Sequence, residues 1–354
     1  MKRKPFIFIV SQLHEPNVDQ VIARLERRGV DFFRFDTETL PLVSTVRVYD
    51  DGSDSYAVIS CNGQTVDTRQ ITTIWRRRIG EFILPDNLDE RTEGFVKYEC
   101  AALLHSFFEK IECFWVNHFL SDYRANIKSY QLQVARQVGL RVPRTLVTNE
   151  PEAVEEFMNQ CNSKILFKPV IGLIHGGPHD FSQEAAIKYK GQFRLSPHIL
   201  TERPTSLKTV FSQLLTSEKI PYLKFLPGCP ATFQEYIEKR FDVRITIIGN
   251  ELFAVEVHSQ DNSETQIDFR RQALDPVGFL DHEIHHLPDQ TAQKLLCLMN
   301  KLQLVFGCVD MVLTPEGEYV FLEVNTAGQW GWMEHLLGLP MTDVLTELLI
   351  RGSL

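Results

Sequence analysis

The sequence lacks the features that mark two large classes of protein. Its 354 residues include 37 Lys and Arg against 46 Asp and Glu, so the formal net charge is −9. A general nucleic-acid binder needs a basic surface, and this balance argues against one, although it leaves room for a local cationic pocket. No apolar run approaches the roughly 18 residues that span a bilayer. We therefore expect neither nucleic acid nor a membrane among the partners.

The cysteines follow no regular spacing in the sequence. There are seven, an odd number, scattered along the chain without a Cys-x-x-Cys pair. The apolar run Phe6–Val10 follows a basic start, but it is shorter than the core of a signal peptide, which has roughly 7–15 residues. Reduced thiols and a buried first strand predict a cytoplasmic protein.

Two common nucleotide-binding motifs are also missing. The chain contains no GxxxxGK[ST] loop, and no GxGxxG follows the first strand, which excludes a P-loop and a dinucleotide-binding fold by these criteria. The length predicts two or three domains. Apolar strands at Phe6–Val10 and Val30–Phe35, with a helical pattern between them, predict an α/β fold.

The most informative segment is 308–325, which has the pattern of two apolar strands around a turn. A two-residue hairpin loop selects the pairing of the strands that it joins. If Glu316 and Gly317 form this loop, Pro315 faces Glu318, and the rest of the register follows by counting outward.

This register places Asp310 directly opposite Glu323, with Asn325 on the same face two residues later. Directly opposed side chains lie about 4.5–5.5 Å apart, so two carboxylates there repel each other. A hard cation removes the repulsion, and oxygen-only ligands favour Mg²⁺, with Mn²⁺ as the alternative. The competing interpretation is a strand whose carboxylates face water, but neither strand shows the polar alternation that it needs.

Several cations lie in apolar surroundings. Lys168 belongs to the apolar strand pattern at 165–170 and needs an anion or solvent, because an unpaired buried charge is costly. Glycines at 172–178 can expose backbone N–H groups to phosphate oxygens. Asp242 and Arg244 share one face of a later strand, although a surface ion pair is the alternative for each.

Taken together, these residues resemble the ATP-grasp superfamily. Lys128 and Lys168 resemble its two nucleotide lysines, and 235–237 resembles the hinge whose backbone meets adenine. The resemblance implies that Lys128, Lys168, Glu235, Tyr236, Ile237, Asp242 and Arg244 bind ATP and that Asp310, Glu323 and Asn325 bind the metal.

A closer resemblance is to the ATP-grasp peptide maturases that make graspetides, the microviridin-type ligases, over about residues 5–350. The motifs that carry it are 74–78, 115–118, 142–149, 268–270 and, most specific, 321–332. The sequence departs from the pattern at Ile127, where the family often has Asn, and at His258, where an acidic residue is more usual. The 172–178 loop also differs from the more common Ser-Gly-Gly pattern.

The resemblance implies an α/β (α+β) ATP-grasp fold in three parts. These are an N-terminal α/β pre-ATP-grasp domain at 1–122, a central subdomain at 123–205, and a C-terminal subdomain at 206–354 that carries the metal hairpin.

The resemblance also implies ATP-dependent, ADP-forming ligation. Lys168, Arg244 and Arg270 would act in catalysis, activating Asp or Glu side chains of a ribosomal precursor peptide for attack by Ser, Thr or Lys. The expected partner is that peptide, and a homodimer is compatible with the family. Two alternatives stay open: a ligase that adds free amino acids to a peptide or protein, and a non-catalytic nucleotide-binding scaffold. For Arg270, a structural ion pair with Asp268 competes with a catalytic role.

Other polar residues receive simpler interpretations. We expect Arg76, Arg77 and Arg78 to be a solvated strand end, with acidic-substrate binding as the alternative. His282, His285 and His286 are not expected to bind a metal by themselves. Trp330 and Trp332 are expected to pack around the hairpin.

Overall fold

The computed structural model describes residues 4–170, 173–175, 207–209, 211–274 and 280–354. The glycines at 172, 176 and 177, which were expected to approach phosphates, lie outside these ranges. All seven cysteines are free thiols. No helix within the described ranges combines the length and apolar character that crossing a bilayer requires.

The N-terminal part is an α/β layer built on a parallel sheet in the order β2-β1-β6-β7. Its strands and first helices are β1 (Phe6–Ser11), α1 (Pro16–Arg27), β2 (Asp31–Asp36), β6 (Thr73–Arg76), α2 (Glu90–Phe108) and β7 (Phe114–Val116). β1 is apolar from Phe6 to Val10 because Phe8 packs towards α2 on one face and Ile9 packs towards α1 on the other. A separate antiparallel meander comprises β3 (Thr45–Asp50), β4 (Ser55–Cys61) and β5 (Gln64–Asp67).

The central part begins with two short helices and continues into an antiparallel sheet in the order β12-β9-β13-β8. The elements are α3 (Phe119–Ala125), α4 (Lys128–Gln137), β8 (Thr145–Thr148), α5 (Pro151–Gln160), β9 (Ile165–Pro169), β12 (Gln213–Leu214) and β13 (Ala231–Glu235); β10 (Leu173–His175) pairs with β11 (Leu207–Thr209) outside this sheet. The sheet takes strands from both sides of the boundary expected at 205/206, because β13 pairs with β8 and β9. The three-part division itself stays a prediction.

The C-terminal part is a five-stranded antiparallel sheet in the order β16-β15-β14-β17-β18. Its elements are β14 (Phe241–Ile248), β15 (Glu251–Val257), β16 (His282–Ile284), α6 (Asp289–Lys301), β17 (Phe306–Leu313), β18 (Tyr319–Asn325), α7 (Gly331–Leu337) and α8 (Met341–Arg351). One face packs on α4 and α6 through residues such as Ile245. The other face shares a core with the N-terminal part, where Trp330 is fully buried, so its expected packing role is confirmed.

The hairpin between β17 and β18 corrects one prediction and confirms another. Its loop has three residues, not two, because the Glu318 carbonyl accepts a hydrogen bond from the Thr314 N–H at 3.0 Å. Gly317 adopts φ +87°, the left-handed conformation that this longer turn needs. The expected pairing of Pro315 with Glu318 is therefore wrong.

A β-bulge restores the expected register further along the same hairpin. The pairing shifts between Asp310 and Met311, which adds one residue to β18. This addition offsets the extra loop residue, so that Asp310 lies directly opposite Glu323, as predicted.

Candidate nucleotide and metal site

A cleft lies between the central and C-terminal sheets, and it brings together residues that are far apart in sequence. Strands β9, β13, β14, β17 and β18, the start of α4 and the segment 267–270 contribute to its wall. The expected site residues that line it are Lys128, Lys168, Glu235, Tyr236, Ile237, Asp242, Arg270, Asp310 and Glu323.

The two opposed carboxylates at the end of the cleft each contact a cation. Arg244 donates from Nη1 to both oxygens of Asp310, at 2.8 and 2.9 Å. Lys128 Nζ lies 2.7 Å from Glu323 Oε2, and its charge holds the pKa of Glu323 well below the usual range. Burial alone would lower the pKa of Arg244, but the charge of Asp310 outweighs it and raises this pKa. The Glu323 carboxylate is therefore ionised.

This donor set fits a magnesium ion. Mg²⁺ is typically held by one or two carboxylates, together with substrate phosphates and water. Asp310 and Glu323 supply oxygen ligands from directly paired positions. Neither His nor Cys appears among the residues that line the cleft.

Asn325, the third expected ligand, occupies a different position from the other two. It is two residues beyond Glu323 and pairs with Cys308, but it is not among the residues that line the cleft. Its Oδ1 accepts the backbone N–H of Ala327 at 3.1 Å, which shapes the chain after β18. A carbonyl oxygen has two acceptor sites, so one remains for a metal. Its role as a ligand stays a prediction.

Lys168 is a cation whose hydrogen-bond partner is neutral. Its Nζ donates to Gln234 Oε1 at 2.9 Å, and Gln234 donates onward to Thr145 Oγ1 at 2.9 Å. Burial lowers the pKa of Lys168. No carboxylate in the described part of the chain forms an ion pair with it. An anionic ligand in the cleft would compensate for the free-energy cost of burying this positive charge.

The hinge segment has little free backbone. The N–H groups of Glu235 and Tyr236 already donate to the carbonyls of Arg144 and Lys164, at 2.9 and 3.0 Å. No acceptor for the Ile237 N–H is found among the described residues. Of the three hinge residues, Ile237 therefore offers the amide best suited to a nucleotide base.

Asp242, expected near the ribose, has a partner that the sequence reasoning missed. Lys239 Nζ lies 2.7 Å from its Oδ2, and the Lys239 side chain is only 4% exposed. Ser259 also donates to Asp242. Burial raises the pKa of Asp242 despite both partners. Because Lys239 is one of three consecutive charged residues after β13, its pattern in the sequence suggested a solvated turn.

Arg270 forms the ion pair that was considered as the alternative to a catalytic role. It donates to the two oxygens of Asp268 at 2.8 and 2.6 Å. Its side chain is nevertheless 42% exposed, while that of Asp268 is 5% exposed. Both residues line the cleft. Asp268 thus holds the guanidinium beside the cleft, while the Arg270 side chain as a whole is partly exposed.

The three arginines at the end of β6 and directly after it do not form the expected solvated strand end. The Arg77 side chain is 1% exposed and donates to the Ala327 carbonyl at 2.5 Å and to Gln329 Oε1 at 3.0 Å. Arg78 donates to the same carbonyl at 3.3 Å, and Arg76 pairs with Asp122. The expectation is wrong for Arg77 because burial against the 325–330 segment removes it from solvent. That segment also supplies the Gln329 carbonyl, which accepts from Arg244.

Comparisons with known proteins agree with this architecture. The family model described as the MvdD pre-ATP grasp domain matches residues 7–123. A comparison with curated proteins finds no match.

Several solved structures resemble the whole chain. The macrocyclase MdnC from Microcystis aeruginosa MRC, bound with the precursor peptide MdnA, is 28% identical, with 98% of this chain and 99% of that chain covered and a TM-score of 0.80. The macrocyclase MdnB from the same organism is 28% identical, with 98% and 100% covered and a TM-score of 0.76. A Chryseobacterium gregarium RiPP-associated ATP-grasp ligase, in complex with ADP and a leader and core peptide, is 23% identical, with 99% and 98% covered and a TM-score of 0.82.

The fold and the cleft define an ATP-grasp ligase with an N-terminal pre-ATP-grasp domain. Within that class, the chain resembles the ATP-grasp maturases of ribosomally made peptides, so the resemblance stated from the sequence is confirmed.

Proposed function

We propose that this protein is an ATP- and Mg²⁺-dependent peptide ligase. It would join Asp or Glu side chains of a ribosomal precursor peptide to Ser, Thr or Lys side chains and so close ester or amide macrocycles. The observation that supports this most is the pair Asp310 and Glu323, directly opposed in a cleft where Lys128 and Arg244 neutralise them. The likeness to macrocyclases and peptide-bound ligases supports the substrate class.

The residues of the cleft divide into regions that suit the parts of ATP. Lys128 and Lys168 would bind phosphate oxygens, Ile237 would meet the base, and Asp242 with Lys239 would lie near the ribose. Asp310, Glu323 and Asn325 would hold Mg²⁺, with Mn²⁺ as the alternative.

The ion pairs of Asp310 and Glu323 suit an exchange in which a metal ion replaces Arg244 and Lys128 as the partner of the carboxylates. Asp310 and Glu323, which Arg244 and Lys128 contact in this structure, would instead hold a divalent cation, and that cation would supply charge neutralisation for the phosphates. The Lys128 and Arg244 side chains would then be free to bind the phosphate groups. Positioning and charge neutralisation of this kind account for most of the catalysis in phosphoryl transfer.

The reaction would proceed in two balanced steps. The substrate carboxylate attacks the γ-phosphorus of ATP, which breaks the bond to ADP and forms an acyl phosphate. A hydroxyl or amine then attacks the acyl carbon, which forms the ester or amide bond and breaks the bond to the phosphate oxygen. The nucleophile gives its proton to the departing phosphate or to solvent, and inorganic phosphate is released. Arg270, which pairs with Asp268 and whose side chain is partly exposed, would orient the acyl phosphate.

The test is product analysis with a candidate precursor. The purified protein is incubated with ATP, Mg²⁺ and a synthetic peptide encoded by a short reading frame next to its gene, rich in Thr, Ser or Lys and in Asp or Glu. We expect one ADP for each water lost from the peptide. A gain equal to an added amino acid would instead support the alternative ligase, and ADP formation without any change in peptide mass would contradict both.

The predicted homodimer is a separate matter. It is tested by light scattering on the purified protein with and without the peptide, and the chemistry proposed for the cleft does not depend on its result.

A further inference from the structure

A second pair of directly opposed carboxylates lies on the face of the C-terminal sheet opposite to the cleft. Glu256 in β15 pairs with Glu283 in β16. Val257 is the strand partner of Asp242 and shares the cleft face with it. Glu256 comes directly before Val257, and successive side chains of a strand point to opposite faces, so the Glu256 side chain points away from the cleft. His258 follows directly after β15, and one ligand atom from each of Glu256, His258 and Glu283 lies within 4.8 Å of the others.

No cation neutralises this pair in the described part of the chain. The ion-pair partners of Glu256 are His258 and His285, and Glu283 has no Lys or Arg partner there. Directly opposed like charges destabilise a sheet. The cleft resolves the same arrangement with Arg244 and Lys128, whereas here the adjacent side chains are imidazoles.

A hydrogen-bonded chain fixes one of the carboxylates. His285, whose side chain is 8% exposed, bonds through Nδ1 to Glu256 Oε1 at 2.6 Å and through Nε2 to the Tyr319 hydroxyl at 2.6 Å. Glu256 Oε1 is therefore occupied, and Oε2 faces His258. Histidines that orient a carboxylate from outside in this way are typical partners of metal ligands.

The facing imidazole nitrogen lacks a hydrogen-bond partner. His258 Nε2 is buried and makes no hydrogen bond. It lies 3.5 Å from Glu256 Oε2, at the limit of a hydrogen bond and without suitable geometry. The Phe241 ring packs against His258 and His285, with centroids 5.5 and 5.8 Å apart, and so restricts both imidazoles.

We propose that Glu256, His258 and Glu283 form a binding site for Zn²⁺ or a neighbouring first-row divalent ion. Zinc binds imidazole and carboxylate ligands at about 2.0–2.2 Å in a tetrahedron, so two ligands of one ion lie about 3.4 Å apart. The separation of 3.5 Å between His258 Nε2 and Glu256 Oε2 agrees with this value. An imidazole ligand favours such an ion over Mg²⁺.

The position of the site suggests what the ion does. It joins the edge strand β16 to β15 at the start of the segment 258–274, which leads through Ser259 to Asp268 and Arg270. Ser259 donates to Asp242 in the cleft. A bound ion therefore fastens the back of the sheet and the beginning of the segment that forms one wall of the cleft. Glu283 is exposed, so the ion can enter from solvent.

The proposal is tested by zinc binding to the full chain without nucleotide. The protein is stripped with EDTA, freed of the chelator and titrated with Zn²⁺ by calorimetry, and the metal retained after dialysis is measured by mass spectrometry. We expect one equivalent of zinc and a higher melting temperature on binding, because a ligand that binds only the folded state stabilises it. Absence of saturable zinc binding would overturn the proposal.

Matched variants locate the site. His258→Ala and Glu283→Gln should each weaken zinc binding about 100-fold, and Tyr319→Phe, which disturbs the orienting chain, about tenfold. His286→Ala, an exposed neighbour, and Asp310→Asn, on the opposite face, should leave zinc affinity unchanged. Equal affinity in His258→Ala, Glu283→Gln and the wild type, or loss of binding in Asp310→Asn, would overturn the assignment. Because Glu283 is exposed, its variant should remain folded.

Discussion

The two faces of the C-terminal sheet carry the same arrangement of charges in different surroundings. Asp310 opposes Glu323 on the cleft face, and Glu256 opposes Glu283 on the other. Arg244 and Lys128 neutralise the first pair, while the second pair has only histidines beside Glu256 among the described residues. Strand pairing brings the carboxylates together in both cases, but the neighbouring side chains decide which ligand they suit.

The difference between the faces follows from what covers them. The cleft face is open to a ligand between two sheets, and under the proposed function Lys128 and Arg244 would exchange their carboxylate partners for phosphates. On the other face, His285 has a partner on each ring nitrogen, and Phe241 packs against the imidazoles. This arrangement is rigid and offers nitrogen as well as oxygen. It suits a resident ion better than a substrate.

The largest effect is expected when the carboxylate pair of the cleft is broken. Asp310→Asn keeps the volume but removes the charge that would hold Mg²⁺ and that balances buried Arg244. We expect ADP formation to fall at least about 100-fold, the scale of losing one electrostatic group in an active site. Glu316→Gln, in the exposed turn of the same hairpin, is the control, measured by the same ADP assay. Near-normal turnover in Asp310→Asn would refute the metal assignment.

Lys168→Met should separate ligand binding from stability. Loss of the charge should weaken ADP binding about 10- to 100-fold, because a hydrogen bond to a charged group contributes about 1.5–3 kcal/mol. Burial lowers the pKa of Lys168, so its charged form is disfavoured in the fold, and the variant should unfold at the same temperature or higher. Calorimetry with ADP and thermal unfolding without it measure the two effects. Lys164→Met, exposed on the same segment, is the control, and unchanged ADP affinity in Lys168→Met would count against the phosphate role.

Asp268→Asn should give a smaller effect that depends on pH. Burial would raise the pKa of Asp268, but Arg270 outweighs it and lowers this pKa below 3.8. The carboxylate therefore contributes stability that is fully present above pH 3.8 and lost as the pH falls through its lower folded-state pKa. We expect the free energy of unfolding of the variant to be about 1 kcal/mol lower than that of the wild type at neutral pH.

The measurement is urea unfolding across the acid range, with Asp261→Asn, exposed in the same segment, as the control. The difference between wild type and Asp268→Asn should shrink below pH 3.8. A difference that grows on acidification would contradict the ion pair.

The smallest expected effect is the change in folding stability caused by Glu283→Gln, and its sign should depend on whether zinc is bound. Without metal, Glu283→Gln removes the repulsion with Glu256 and should stabilise the protein by about 0.2–1 kcal/mol. With saturating Zn²⁺ the wild type should become the more stable of the two. Urea unfolding in EDTA and in Zn²⁺ measures both values, and Glu251→Gln, at the exposed start of β15, serves as the control. Destabilisation by Glu283→Gln in EDTA would show that repulsion does not govern this pair.

The hairpin shows both the strength and the limit of inference from the sequence. The pairing of Asp310 with Glu323 was predicted correctly, although the turn was one residue too short in the prediction. The bulge adds one residue to β18, and this residue offsets the one that the predicted turn lacked. Turn length and bulge depend on packing against the rest of the sheet, which the local pattern does not contain.

Of three buried cations, Lys168, Lys239 and Arg77, the sequence identified the first and missed the other two. Lys168 was identified because a charge inside an apolar strand stands out in the sequence. Lys239 and Arg77 lie in runs of charged residues, where the local pattern indicates solvent, yet both side chains are almost completely buried. Gln329, a partner of Arg77, lies 252 residues away in the sequence. Asp242 lies only three residues after Lys239, but it is buried in β14, and the local run of charges does not reveal that burial.

The sequence by itself determined the α/β class, the ATP-grasp resemblance and, with it, nine of the residues that line the cleft. Apolar strands, charges inside them and the 308–325 hairpin are local patterns, so they can be recognised before the fold is known. Only the tertiary structure decided what those charges meet: Arg244 on Asp310, Lys128 on Glu323, and His258 beside Glu256 and Glu283. Electrostatic interactions depend on distance and burial, and strands as short as β16 acquire both only when the sheet assembles around them.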